Sequence, residues 1–154
     1  MNDSISYRLI RPGEKDETFA VIERGFNAYV REDFTSEGIE EFYRAVRIMA
    51  FERPSNHFIV VAESNCQIAG MIDVKENCHI SIFFVDPSCM GKGVGRGLLS
   101  HAIMLCQQNN PDIIEIEVHS SPWAVPVYGR LGFEPTGPGA GESRNTVYTD
   151  DKDS

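Results

Sequence analysis

No apolar run in this chain approaches the length of a membrane span, and residues 1–6 carry neither a basic n-region nor an apolar h-region. The expectation is a cytoplasmic protein. Cysteine is scarce: Cys66, Cys78, Cys89 and Cys106 form no C-x-x-C pair, and 154 residues can build a core without disulfide staples, so buried free thiols are expected. His57, His79, His101 and His119 include no H-x-x-x-H pair, so no metal site is expected and each histidine is assigned to a strand or helix surface. Positive charge is also in short supply, with 14 Lys and Arg against 23 Asp and Glu and a net charge of −9, which disfavours nucleic acid and anionic membranes as partners. Neither an internal repeat nor a second-domain boundary is visible. Ordinary apolar (42%) and charged (24%) fractions fit one globular domain over residues 1–154.

What the chain does have is a concentration of glycine in one place. In Val85-Asp86-Pro87-Ser88-Cys89-Met90-Gly91-Lys92-Gly93-Val94-Gly95-Arg96-Gly97-Leu98-Leu99, an apolar strand breaks at a proline, enters a glycine-rich loop and emerges as a helix. Glycines let the backbone approach an anion closely, successive N–H groups line one concavity, and the positive end of the helix dipole adds to the field. Lys92 and Arg96 add side-chain charge. Two better-known phosphate loops do not fit. A P-loop requires Lys followed by Ser or Thr, whereas Gly93 follows Lys92; a G-x-G-x-x-G pattern begun at Gly91 fails at Arg96. A glycine-rich connection that binds nothing is the plainer alternative.

A second constellation follows: Ser121-Pro122-Trp123-Ala124-Val125-Pro126-Val127-Tyr128-Gly129-Arg130-Leu131-Gly132-Phe133-Glu134. Together the two segments resemble the GCN5-related N-acetyltransferase (GNAT) family, which carries an R/Q-x-x-G-x-G/A loop for the coenzyme A pyrophosphate and later an N-x-x-A-x-x-x-Y-x-x-x-G-F helix. Gly93 and Gly95 match the first pattern, and Ala124, Tyr128, Gly132 and Phe133 match the second. Met90 stands where the family usually has Arg or Gln, which removes one side-chain contact that backbone amides and Lys92 can replace. Ser121 stands where Asn is frequent and keeps a helix N-cap, with Pro122 at the first helical position.

The pattern along the chain follows the order of elements that this family uses. Ile5, Tyr7 and Leu9 alternate as a strand. A helix beginning near Asp16 aligns Phe19, Ile22, Phe26 and Tyr29; another, from Thr35 or Ser36, aligns Ile39, Phe42, Val46 and Met49. Runs 58–63, 67–75 and 79–85 read as an antiparallel meander. The helix after the glycine loop, 94–107, buries Leu98, Leu99, Ala102 and Leu105; a strand at 113–118 and a helix at 122–131 follow. Residues 136–143 read as a flexible connection, 145–149 as a last strand and about 150–154 as a disordered end. The fold class is α/β (α+β): one GNAT-like domain with a mixed, mostly antiparallel sheet of six to seven strands and about four helices.

The resemblance implies an acyltransferase, an N-acetyltransferase that uses acetyl-CoA as co-substrate and no metal. It assigns Phe84, Val85, Met90, Gly91, Lys92, Gly93, Val94, Gly95, Arg96, Ser121, Ala124 and Tyr128 to coenzyme binding. The acetyl carbonyl would lie against the N–H of Val85, a single-donor oxyanion stabiliser, with one of Phe83 and Phe84 lining the channel and the other in the core. Tyr128, a phenol protonated at neutral pH, is the candidate general acid for the leaving thiolate; packing against Phe133 is its alternative. Candidates for the general base are His79 and Ser81 on one strand and Glu117 and His119 on the next. The acceptor is a small-molecule or peptide amine, to which the acid-rich stretch Glu37-Gly38-Ile39-Glu40-Glu41 is a possible attractant, and a homodimer is a possible assembly. A catalytically weak acyl-CoA sensor or scaffold, and a larger acyl donor such as succinyl-CoA, are the competing readings.

Overall fold

Three consecutive apolar runs interrupted by tight turns give the centre of the fold. A computed structural model of the chain describes residues 4–29, 32, 34–51, 57–76, 79–113, 115–120, 125–138 and 143–148. In it β2 (His57–Ser64), β3 (Gln67–Lys75) and β4 (His79–Val85) form an antiparallel meander. The β2–β3 connection is the two-residue pair Asn65-Cys66, with φ of 54° and 65°, the double left-handed geometry that matches strand twist in short hairpins. Cys66 is therefore exposed on a turn, not buried as expected; Cys89 is partly buried, Cys106 is buried, and Cys78 lies outside the described residues.

Among the described residues the sheet has seven strands in the order β1-β2-β3-β4-β5-β7-β6, with β1 at Ile5–Leu9, β5 at Glu115–Ser120, β6 at Glu134–Pro138 and β7 at Ser143–Tyr148. Helix α3 (Val94–Asn109) covers one face, where Val60, Ala62, Ile72, Val74 and Ile80 meet Val94, Leu98, Leu99, Ala102 and Cys106. Helices α1 (Lys15–Tyr29) and α2 (Ser36–Phe51) accompany the opposite face, where Ile59, Val61, Met71 and Ile82 meet Val21, Ile22 and Val46. Each face buries enough apolar side chains, at roughly 1.5–3 kcal/mol for a fully buried one, to hold its helices without strong intrinsic propensity. None of the described helices is long and apolar enough to cross a membrane.

Two boundaries differ from the sequence expectation. The strand expected at 113–118 is described as Glu115–Ser120, and Ile113 stays outside it, its N–H donating to the Asn110 carbonyl at 3.1 Å in the turn after α3. The fourth helix, α4, is described from Val125 to Arg130, and its expected start at 122 lies outside the described residues. Within the segment 136–143, expected as a flexible connection, residues 136–138 belong to β6 and Ser143 opens β7. Gly137 and Pro138 fall within that segment, but β6 is the last strand of the sheet, and a proline lacking its N–H is tolerated on an edge. The end at about 150–154 lies outside the described residues.

One close approach sets the distance between α1 and β4. A Cβ added at Gly25 would lie 2.6 Å from Cδ1 of Phe84, nearer than packed carbons allow. Gly25→Ala should therefore displace the Phe84 ring or lift α1, with a destabilisation of about 1–3 kcal/mol typical of overpacking. The denaturant midpoint should fall at unchanged slope; an unaltered midpoint would mean that the helix is free to shift at no cost.

Candidate active site

The glycine loop is anchored before it begins. Asp86, buried at the end of β4, donates its N–H to the Ala69 carbonyl (2.8 Å), and its Oδ1 accepts from the Ser88 N–H (3.0 Å) and hydroxyl (2.9 Å), starting a 3-10 turn at Pro87–Cys89. Oδ2 accepts from Nε of Arg24 at 2.7 Å, an ion pair across to α1. Burial pushes the Asp86 carboxyl up, but the Ser88 donors and the Arg24 guanidinium outweigh it and hold it below the usual carboxylate range. Sequence reasoning missed this latch, although Asp before Pro at a strand end is a recognisable turn signal.

Gly91 and Gly93 take φ of 83° and 81°, the left-handed region where a side chain is strained. Gly93 is the N-cap of α3 and offers no side-chain cap; its carbonyl accepts the first helical bond from Gly97 at 3.0 Å. The N–H groups of Val94, Gly95 and Arg96, in the first turn, then have no intrahelical acceptors. An added Cβ at Gly91 or Gly93 would meet nothing within 4 Å, so there is room in front of this backbone for a phosphate. Met90 is half-exposed and Lys92 is exposed on the same loop. Arg96 is engaged elsewhere: its Nη2 donates to the Arg130 carbonyl at 2.7 Å, joining the first turn of α3 to the end of α4.

Strands β4 and β5 are parallel partners at His79↔Glu117 and Ile80↔Val118. Beyond Ile80 no further pairing is found among the described residues, and the two strands part. Phe83 and Phe84 take opposite faces. Phe83 is on the α3 side, its ring centroid 6.1 Å from that of Tyr128; Phe84 is on the α1 and α2 side, edge-on to Phe42 at 6.1 Å. Val85, the last β4 residue, is opposite Gly70 of β3. Tyr128 also stands edge-on to Phe133 at 5.3 Å, the packing contact expected as its alternative role. Burial pushes its phenol well above the ordinary tyrosine value.

Of the candidate bases, His79 and Glu117 are cross-strand partners, with Nδ1 3.6 Å from Oε2. His119 lies on β5 opposite Arg144, its side chain outside the described residues, as are Ser121 and Ala124 altogether. Ser81 donates its hydroxyl to Oδ2 of Asp73, and Oδ1 of Asp73 lies 2.5 Å from Nδ1 of His57. His57 was expected at the surface; its side chain is only 3% exposed, because Asp73 draws the ring inward. Asp73, itself 1% exposed, was legible as a lone carboxylate within the apolar run Ile68-Ala69-Gly70-Met71-Ile72-Asp73-Val74. Among the described residues no group of three or more His, Cys, Asp or Glu could hold a metal ion.

A left-handed glycine turn thus leads into the N-terminus of α3 beside two parallel strands that part beyond Ile80, with the partly buried Tyr128 packed against Phe83. The sequence model of the acetyltransferase (GNAT) domain matches residues 30–146, and this chain belongs to that family, whose members use acetyl-CoA. It is similar to the peptidyl-lysine N-acetyltransferase YjaB of Escherichia coli, at 31% identity over 134 residues that cover 86% of this chain and 84% of YjaB. The solution structure of apo YjaB superposes with a TM-score of 0.71 and 26% identity over 96% of this chain and 98% of that one. An uncharacterized N-acetyltransferase of Methanocaldococcus jannaschii, MJ1207, is 34% identical over 71 residues, which span 46% of this chain and 31% of that longer protein. The PaiA N-acetyltransferase of Thermoplasma acidophilum, solved with coenzyme A, shares the fold at a TM-score of 0.78 and 16% identity, covering 94% of this chain and 99% of its own.

Proposed function

We propose that this acyltransferase moves the acetyl group of acetyl-CoA to a primary amine by direct attack. The observation that carries the reading is the loop at 90–96, whose left-handed glycines have open space at their Cβ positions and lead into a helix first turn whose amides lack intrahelical acceptors, beside the parting of β4 and β5. Backbone amides there and Lys92 would hold the pyrophosphate, while Arg96 contributes by fixing α3 to α4. The thioester would reach the strand parting from the α3 face, where Phe83 and Tyr128 lie, and the amine would enter from the α1 and α2 face. The neutral amine attacks the carbonyl, the developing oxyanion takes the Val85 N–H, and collapse expels a thiolate that Tyr128 protonates.

The acceptor we favour is a cationic amine, on a small molecule or a lysine side chain. A net charge of −9, with exposed Glu37, Glu40 and Glu41 on α2, would attract such a substrate, and YjaB is named for peptidyl-lysine. A panel of amines assayed by thiol release from acetyl-CoA tests this. Amines with an extra positive charge should outperform neutral or carboxylate-bearing ones, with kcat/KM falling as salt rises past physiological strength, where the Debye length is about 8 Å. Best rates with free amino acids, insensitive to salt, would refute the cationic acceptor. Absence of thiol release with every amine would refute acetyl transfer itself.

A further inference from the structure

We propose that Ser81, backed by Asp73 and His57, is the proton relay that converts the acceptor ammonium into a nucleophilic amine. The relay rests on the acetyl-transfer reading above and supplies the base that it leaves open. Its first support is placement. The β3–β4 register runs Asp73↔Ile82 and then Val74↔Ile80, so Ser81 is the extra residue of a β-bulge. Bulges re-aim side chains, and this one directs the Ser81 hydroxyl onto Asp73, on the α1 and α2 face from which the amine enters. Ser81 is also the first β4 residue beyond the last β5 pairing at Ile80, and it is only partly buried.

The second support is the cost of the arrangement. A carboxylate in the middle of a strand with every neighbour buried is strongly disfavoured unless its oxygens are satisfied. Here one oxygen receives the Ser81 hydroxyl and the other faces His57 Nδ1, so the carboxylate is linked toward the strand parting through the serine hydroxyl. His57 Nε2 is buried with no hydrogen-bond partner among the described residues, so the imidazole is committed through Nδ1 and acts as a positioning residue for Asp73. The other pair at hand, His79 and Glu117, is set further back, where the strands are still joined.

The protons balance as follows. An ammonium N–H transfers its proton to Ser81 Oγ as the Ser81 hydroxyl proton passes to Asp73 Oδ2, leaving a neutral amine and a neutral carboxyl. The C–N bond forms, the C–S bond breaks, and Tyr128 protonates the thiolate and regains the second proton of the nitrogen. Asp73 then returns its proton through Ser81 to solvent, so each turnover releases one proton.

The test compares two probes at pH 8: the ε-amine of Nα-acetyl-lysine amide, with a pKa near 10.4, and the α-amine of glycinamide, near 8 and already about half neutral. Ser81→Ala should lower kcat for the ε-amine by about a hundredfold or more, the usual general-base contribution, and for the α-amine by less than about tenfold, with the KM for acetyl-CoA unchanged. Ser81→Thr, which keeps the hydroxyl on a strand-compatible side chain, should restore most of the rate, and Asp73→Asn should reproduce the discrimination of Ser81→Ala. Equal losses for both amines, or none, in Ser81→Ala or in Asp73→Asn would overturn the relay while leaving acetyl transfer standing. A wild-type protein inert toward both probes would overturn the relay together with the reading on which it rests.

Discussion

Tyr128→Phe is expected to lower kcat by roughly ten- to a thousand-fold while leaving acetyl-CoA affinity nearly unchanged. The ring is fixed between Phe83 at 6.1 Å and Phe133 at 5.3 Å, so a phenylalanine retains the packing and loses only the hydroxyl. Burial raises the phenol pKa above its ordinary value of 10, which favours the protonated form. The sign matters for an acid: a raised pKa keeps the donor loaded as pH rises, so the wild-type rate should show no descending limb from Tyr128 between pH 7 and 10. A fall centred near pH 10 would instead identify an ordinary exposed phenol. Full activity in the folded Tyr128→Phe variant would reduce Tyr128 to a packing residue and move the thiolate's proton donor elsewhere.

Gly93→Val should abolish tight coenzyme binding in a protein that still folds. At φ of 81° an L-residue carries a penalty of about 1–2 kcal/mol, greater for a β-branched side chain, and the chain can relieve it only by rotating the backbone that precedes Val94. That rotation turns the first amides of α3 away from the anion. Each charge-assisted hydrogen bond lost is worth about 1.5–3 kcal/mol, so two of them lower affinity by a hundredfold or more. The added Cβ itself meets no protein atom, which makes the expected defect one of ligand binding and not of core packing. Calorimetry with acetyl-CoA distinguishes the two, and an unchanged Kd in a folded Gly93→Val protein would remove the loop from the site.

The family resemblance was legible because it depends on residues whose meaning is local. Gly93, Gly95, Gly132 and Phe133 act through backbone conformation and short-range packing, and a strand, loop and helix in succession can be recognised from their spacing. Strand β6 was not legible, since two prolines in five residues spell a loop unless the strand is known to lie at a sheet edge. Nor was the engagement of Arg96, whose partner is a carbonyl 34 positions away. The burial of His57 was hidden for a similar reason: a histidine at the start of a strand reads as surface until Asp73, on the next strand, is seen to draw it inward.

The sequence by itself determined the apolar runs and turns that make β2, β3 and β4, the amphipathic helices, and the glycine loop that must precede α3. These follow from side-chain period and from the φ that only glycine adopts without strain, which are properties of a residue and its near neighbours. The tertiary structure alone decided that Arg24 would hold Asp86, which of Phe83 and Phe84 would face α3, and that a bulge would turn Ser81 toward Asp73 and His57. Those arrangements depend on strand register and helix docking, which are set by the burial of the whole sheet and not by any local pattern.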